Sequence, residues 1–113
     1  MAQKDKTNTK IDRLKNEIFE VLGCKEEQTK TIIDKFVEDI VLFDKKQHDY
    51  GSQNIAKFMA TGVLVRCSDK IERLINLHNR KDQPNEESIK DSWQDLSVYG
   101  AIARVCEDGE WKS

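Results

Sequence analysis

Helix breakers are nearly absent from this sequence, and that feature constrains its fold more than any other. The single proline is Pro84, and only five glycines are spread over 113 residues. Between them, apolar side chains recur at intervals of three and four residues, the spacing of one helix face. Charged residues make up 35% of the chain and hydrophobic residues 37%. That balance is typical of helices with one buried stripe and a charged outer face, so we predict an all-α fold.

The periodicity divides the chain into four main helices and one short helix. Residues 1–8 are polar, and we predict that they form a disordered lead-in. Because the connections between the helices are short, we expect an antiparallel bundle, folded as one domain over residues 9–108. The predicted helices run from about residue 9 to a C-cap at Gly23, then over about 26–47, 53–61 and 62–79, and from an N-cap at Asn85 to about 106.

Charge and hydropathy exclude several partners and locations. The net charge is −2 and both signs are interspersed, so the basic footprint of a duplex-binding protein is missing. The longest apolar run, residues 40–43, is far too short to span a membrane. Three isolated cysteines indicate free thiols in a reducing compartment, and the polar N-terminus lacks the apolar core of a signal peptide. We predict a cytoplasmic protein with no membrane partner.

Three acids on the fourth main helix, which is predicted to run from Asn85 to about 106, form a ladder at i, i+4 and i+8. They are followed on the same stripe by three aliphatic residues, which a solvated face would not require. We therefore expect the stripe to face a cleft or a subunit interface. Carboxylates spaced in this way can converge on a hard cation such as Mg²⁺. The candidate catalytic residues are Glu87, Asp91 and Asp95, and the aliphatic continuation is Val98, Ile102 and Val105.

A basic face on the third helix offers partners for these acids or for a ligand. Arg66, Lys70 and Arg73 stand together there, with Asp69 between them. The arginine fork suits phosphate oxygens, and lysine adds a point charge. The alternative is that these cations only pair with the acids of the neighbouring helix, and neither set takes part in chemistry.

A third group of candidates lies around the end of the second helix. Tyr50 offers a surface on which a base can stack, and Asp49 offers a hydrogen-bond acceptor. The alternative is a turn stopped by Gly51, with a tyrosine that covers the core. From this part of the chain we assign Lys46, Asp49, Tyr50 and Asn54 as candidate nucleotide-binding residues, beside Arg66, Lys70 and Arg73.

Three segments in this order resemble the phage and bacterial "nucleotide modification associated domain" family. They are K-x-x-DYG at residues 46–51, R-x-x-DK-x-x-R at 66–73 and ES-I-x-D-x-x-x-DL at 87–96. The resemblance covers residues 36–105 and implies a nucleotide ligand. For a phage-encoded protein, it also implies the cytoplasm of the host.

The same all-helical character is similar to that of MazG-like and all-α dUTPase pyrophosphohydrolases, which hold Mg²⁺ around a nucleoside triphosphate with helix-borne acids. Those enzymes carry E-x-x-E and E-x-x-D elements. The nearest equivalents here are Asp69-x-x-Glu72, which differs in one acid, and Glu87-x-x-x-Asp91, which is one residue longer. The implied magnesium ligands are Glu72, Glu87, Asp91 and Asp95.

Three functions follow from these patterns. The first is a Mg²⁺-dependent nucleoside triphosphate pyrophosphohydrolase that acts in nucleotide metabolism or modification. The second is a non-catalytic protein that binds or sequesters a nucleotide, for example in counter-defence or as an adaptor. The third is a structural homo-oligomer that uses the second stripe of the fourth helix as its interface. We expect the enzyme of the first hypothesis to be a homo-oligomer as well.

Overall fold

The computed structural model describes residues 6–80, 82 and 86–113, with side chains from residue 9 onward. Within these ranges the secondary structure is entirely helical, which confirms the all-α prediction. In the described part of the chain, four helices are long and one is a single short turn, as the periodicity predicted. They are α1 (Lys6–Val21), α2 (Glu27–Tyr50), α3 (Gln53–Ala56), α4 (Met59–Asn79) and α5 (Glu86–Glu107).

The ends of the first two helices are set by glycines. Gly23 has φ 69°, and the N–H of Cys24 donates to the carbonyl of Phe19 at 3.0 Å, which confirms the predicted C-cap. α2 continues to Tyr50, beyond its predicted end at 47, because Gly51 (φ 73°) is the residue that leaves the helical conformation. The predicted turn at 48–50 is therefore helical.

Three other predicted boundaries differ from the structure or lie outside it. α1 begins at Lys6, so the last part of the predicted disordered lead-in is helical, while residues 1–5 lie outside the described residues. α3 ends at Ala56 instead of 61, and α4 begins at Met59, whose φ of 54° marks a sharp break in the backbone. The predicted N-cap Asn85 also lies outside the described residues.

The chain divides into two compact units, Met1–Ile40 and Val41–Ser113. In the first unit, Lys15 of α1 forms an ion pair of 3.1 Å with Asp34 of α2. Lys30 lies 5.1 Å from the centre of the Phe19 ring, and Ile33 is buried. The prediction of one domain over 9–108 stays a prediction.

The second unit is built around the packing of α4 on α5. Val63, near the start of α4, shares a core cluster with Ile102 and Cys106 of α5. Further along α4, Lys70 contacts Asp95, which precedes Ile102 on α5. The two helices therefore run in opposite directions. The polar residues Lys70 and Asp95, in the middle of these helices, therefore lie next to the apolar core. The candidate site described below is found at this point.

The C-terminal segment is fixed to the same unit by Trp111. Its indole Nε1 donates a hydrogen bond of 3.0 Å to the carbonyl of Ser52. Its ring meets Phe43 edge-on, with 6.1 Å between the ring centres. The segment after α5 thus closes over the turn between α2 and α3. None of the helices in the described ranges has the length and apolar character needed to span a bilayer.

Candidate functional site

A cavity of about 320 Å³ lies in the second unit, at the meeting point of α2, α3, α4 and α5. Its floor is apolar and includes the core residues Ile55, Val98 and Ile102. Its polar wall comes from all four helices and consists of Lys46, Gln47, Tyr50, Asn54, Arg66, Asp95 and Tyr99. We call it the Asp95 cavity. Its size falls within the range of small-molecule sites, roughly 300 to 1,000 Å³.

Asp95 is the one acid among the described residues that line the cavity, and 13% of its side chain is exposed. Its Oδ1 accepts a hydrogen bond from Lys46 Nζ at 3.1 Å, and its Oδ2 pairs with Lys70 Nζ at 2.9 Å. Burial acts to raise the pKa of Asp95, but the hydrogen bonds and charges of Lys70 and Lys46 outweigh it and hold that pKa below its ordinary value. Asp95 is therefore ionised at neutral pH and holds both lysines in place.

Arg66 and Asn54 connect α4 to the short helix α3. Arg66 Nη2 donates to the backbone carbonyl of Asn54 at 3.2 Å. The side-chain oxygen Oδ1 of Asn54 is buried and has no hydrogen-bond partner among the described residues. An unsatisfied buried acceptor costs about 1–3 kcal/mol, which natural folds usually avoid. A shift of the Asn54 side chain is needed before this acceptor can meet a partner.

Two tyrosines flank these polar groups. Tyr50 ends α2 and is 71% exposed, whereas Tyr99 on α5 is half-buried. Tyr99 follows Asp95 by one helical turn, so both side chains reach the same side of α5. Aromatic rings beside cations form a surface that can take a flat, charged ligand.

Five of the residues predicted from the sequence line this cavity: Lys46, Tyr50, Asn54, Arg66 and Asp95. Lys70 lies directly behind Asp95 without lining the cavity.

Two predicted nucleotide-binding residues lie elsewhere. Asp49 is exposed and does not line the cavity, because α2 is still helical there and its side chain lies about 100° around the helix from Tyr50, which does. Arg73 is also exposed; it shares the helix face of Arg66 but lies about 10 Å further along α4.

The acid ladder is only partly enclosed. Glu87 and Asp91 are exposed, so they do not face a cleft within this chain, while Asp95 is enclosed as predicted; their position at a subunit interface stays a prediction. The physical reason is that the buried face of α5 shifts along its length. In its N-terminal half the buried residue is Ser92, about 100° around the helix from Asp91. Ser92 Oγ donates to the carbonyl of Ser88 at 2.9 Å and needs no outside partner.

The candidate magnesium ligands do not converge in one chain. Glu72 is exposed like Glu87 and Asp91, and both oxygens of Asp95 contact lysine ammonium groups. Within the ranges that the structure describes, no three His, Cys, Asp or Glu side chains form a group that could hold a metal ion. The residues as placed do not fit Mg²⁺, which needs several oxygen ligands around one point. Magnesium stays a prediction from the resemblance.

The aliphatic continuation of the ladder belongs to the chain's own core. Val98 and Ile102 are buried in the cluster described above, and Val105 keeps 37% of its surface exposed. Val98 and Ile102 therefore pack within this chain, and the hypothesis of a subunit interface on this stripe stays a prediction for its exposed residues.

Sequence reasoning missed Gln47 and Tyr99 among the residues of the wall. Both carried a usable signal. Tyr99 stands four residues after Asp95, and Gln47 stands three residues before Tyr50, so each shares a helix face with a residue that was already assigned.

Protein-family models, curated proteins and solved structures give no match to this chain. The resemblance to the nucleotide modification associated domain family accordingly stays a prediction.

Proposed function

We propose that this protein binds a nucleotide in the Asp95 cavity. One observation carries the proposal: Lys46 and Arg66 line the same cavity as Tyr50 and Tyr99. A nucleotide combines a phosphate with a flat aromatic base, and this wall offers a match for each part.

The phosphate is assigned to the cationic side of the wall. Lysine and arginine are the usual partners of phosphate, and arginine can donate two parallel hydrogen bonds. Arg66 already donates to Asn54, and a guanidinium has further N–H donors to offer. The same holds for the Lys46 ammonium, which makes one hydrogen bond to Asp95.

The base is assigned to the tyrosines and the apolar floor. Stacking on an aromatic side chain contributes about 1–3 kcal/mol per base. Tyr50 is exposed enough to meet a base at the rim, and Tyr99 extends the aromatic surface inward. Inorganic anions could not use this part of the wall, which favours a nucleotide over a simple phosphate site.

The geometry supports binding more directly than hydrolysis. Of the acids that the resemblance assigns to magnesium, Asp95 alone lines the cavity, and two lysines hold it. Pyrophosphohydrolysis stays a prediction, and non-catalytic binding is the form of the function that we put forward.

Isothermal titration calorimetry with nucleotides tests the proposal, using Arg66→Ala and Arg73→Ala as a matched pair. Both changes remove one arginine from α4, but Arg66 lines the cavity and Arg73 does not. Loss of a charge-assisted hydrogen bond costs about 1.5–3 kcal/mol, so Arg66→Ala should weaken binding roughly 10- to 150-fold. Arg73→Ala should change it less than about twofold. Equal losses in the two variants would contradict the site.

Two controls accompany this titration. Because Arg66 also holds the Asn54 carbonyl, circular dichroism and a thermal melt must show that Arg66→Ala remains folded. Chromatography of the nucleotide after incubation with Mg²⁺ separates the two forms of the function. Recovery of unaltered ligand supports binding alone, and release of pyrophosphate would assign hydrolysis.

A further inference from the structure

The charge balance of the Asp95 cavity limits how many phosphates its ligand can carry. In the described part of the chain, the charged residues of the wall are Lys46, Arg66 and Asp95. Lys70 adds a positive charge from behind Asp95, at 2.9 Å from Oδ2. Three positive charges and one negative charge leave a net charge of +2 for these four side chains.

The position of Lys70 determines which of these charged side chains are available to a ligand in the cavity. Lys70 does not line the cavity, yet it compensates the carboxylate that does. Asp95 has one negative charge to share between Lys46 and Lys70, so the two cations that line the cavity, Lys46 and Arg66, are only partly neutralised. Both side chains keep N–H donors beyond those used toward Asp95 and Asn54.

A single phosphomonoester group matches this balance. Such a group carries about 1.5 to 2 negative charges at pH 7 and presents three acceptor oxygens. Each further phosphate of a di- or triphosphate brings added negative charge toward the Asp95 carboxylate, with no additional cation in the wall. At about 320 Å³ the cavity also lies near the lower limit of ligand sites.

We infer that the cavity selects a nucleotide with one phosphate group, a nucleoside monophosphate, over the corresponding di- and triphosphates. This inference rests on the proposed nucleotide-binding function and specifies the class of nucleotide. The inference depends on the net charge of +2 on the cluster. Asp95 acts as a positioning residue that holds Lys46, and its negative charge limits how much negative ligand charge the cavity accepts.

Titration calorimetry of the full chain tests this inference with the mono-, di- and triphosphates of each common nucleoside, with and without Mg²⁺. We expect the monophosphate to bind at least about tenfold more tightly than the triphosphate, without any need for Mg²⁺. A triphosphate that binds more tightly, or binds only with Mg²⁺, would overturn the inference and leave nucleotide binding intact. No binding of any nucleotide would overturn the proposed function itself.

Ribose 5-phosphate and inorganic phosphate identify which part of the ligand is recognised. The proposed function expects both to bind more weakly than the nucleoside monophosphate, because neither can stack on the tyrosines. Equal affinity of all three ligands would refute recognition of the base, and with it the proposed function. The preference for one phosphomonoester group would still be judged from the mono- and triphosphate titrations.

Asp95→Asn tests the cluster charge itself, because a purely structural role of Asp95 would not change the preference for monophosphate over triphosphate. The change raises the charge of the cluster from +2 to +3, so the preference for mono- over triphosphate should shrink by about threefold or more. Asp44→Asn is the matched control, since it removes the same charge from an exposed position of α2 outside the cavity. An unchanged preference in Asp95→Asn, or an equal change in Asp44→Asn, would refute the role of the cluster charge.

Discussion

Replacement of Lys70 by alanine tests how the Asp95 cluster contributes to folding. Lys70 keeps 28% of its side chain exposed and Asp95 13%, so this ion pair is shielded from solvent more than a surface pair is. A hydrogen bond to a charged group contributes about 1.5–3 kcal/mol. Because Lys46 still contacts the other carboxylate oxygen in the variant, we expect the lower part of that range. Lys70→Ala should therefore lower the free energy of unfolding by about 1.5–2 kcal/mol.

Urea denaturation followed by circular dichroism measures this loss, with Lys35→Ala as the control. Lys35 also forms an ion pair, but its 3.9 Å contact with Glu38 lies at the surface, where both side chains are more than half exposed. Such pairs contribute about 0–1 kcal/mol, so Lys35→Ala should have little effect. A loss for Lys70→Ala no greater than for Lys35→Ala would refute the reasoning, provided that the m-value is unchanged.

The pH dependence of the same measurement tests the cause of the loss. The pKa of Asp95 is lower in the folded chain than the ordinary value of 3.8. Its ionic contribution is therefore complete above the unfolded pKa, which is about 3.9, and disappears as the pH falls through the folded pKa. The difference between wild type and Lys70→Ala should be full at pH 7 and should shrink below about pH 3.8. A difference that stays constant to low pH would show that the Lys70 side chain acts by packing instead.

Three further predictions concern packing and assembly. In Gly62→Ala the added Cβ would lie 2.8 Å from Cβ of Phe58, so stability should fall by about 1–3 kcal/mol in a urea melt. Trp111→Phe keeps a ring against the core but loses the hydrogen bond to Ser52, and its melting temperature should drop by about 4 °C, for a loss of about 1 kcal/mol. The predicted self-association should appear in light scattering and should weaken in Val105→Glu, because Val105 belongs to the predicted interface stripe on α5 and keeps 37% of its surface exposed; a monomeric wild-type chain would contradict it.

The helices could be predicted because their signals are local. Apolar spacing and the scarcity of breakers depend only on neighbours in sequence, and Gly23 ends α1 as its position indicated. The end of α2 was misplaced because Asp49 and Tyr50 are compatible with both a turn and a helix. In the structure the helix runs on to Gly51, whose positive φ ends it.

Part of the cavity lining was assigned from local patterns. Arg66 was assigned from the basic face of α4, and Lys46 and Tyr50 from the segment at the end of α2. Which member of the acid ladder is enclosed could not be predicted in the same way. It depends on where the buried face of α5 shifts to Ser92, and that is set by packing against other helices.

Asp95 links the fold to the proposed site, because one carboxylate serves both. Its two oxygens tie α5 to α2 through Lys46 and to α4 through Lys70. A purely structural ion pair would not need a cavity beside it, nor a second cation such as Arg66 on the same wall. Two lysines contact one acid and a third cation, Arg66, lines the same cavity, so the positive charge exceeds what Asp95 requires beside a space large enough for a small ligand. An anion is the partner that this surplus favours, and the adjacent tyrosines favour an aromatic one.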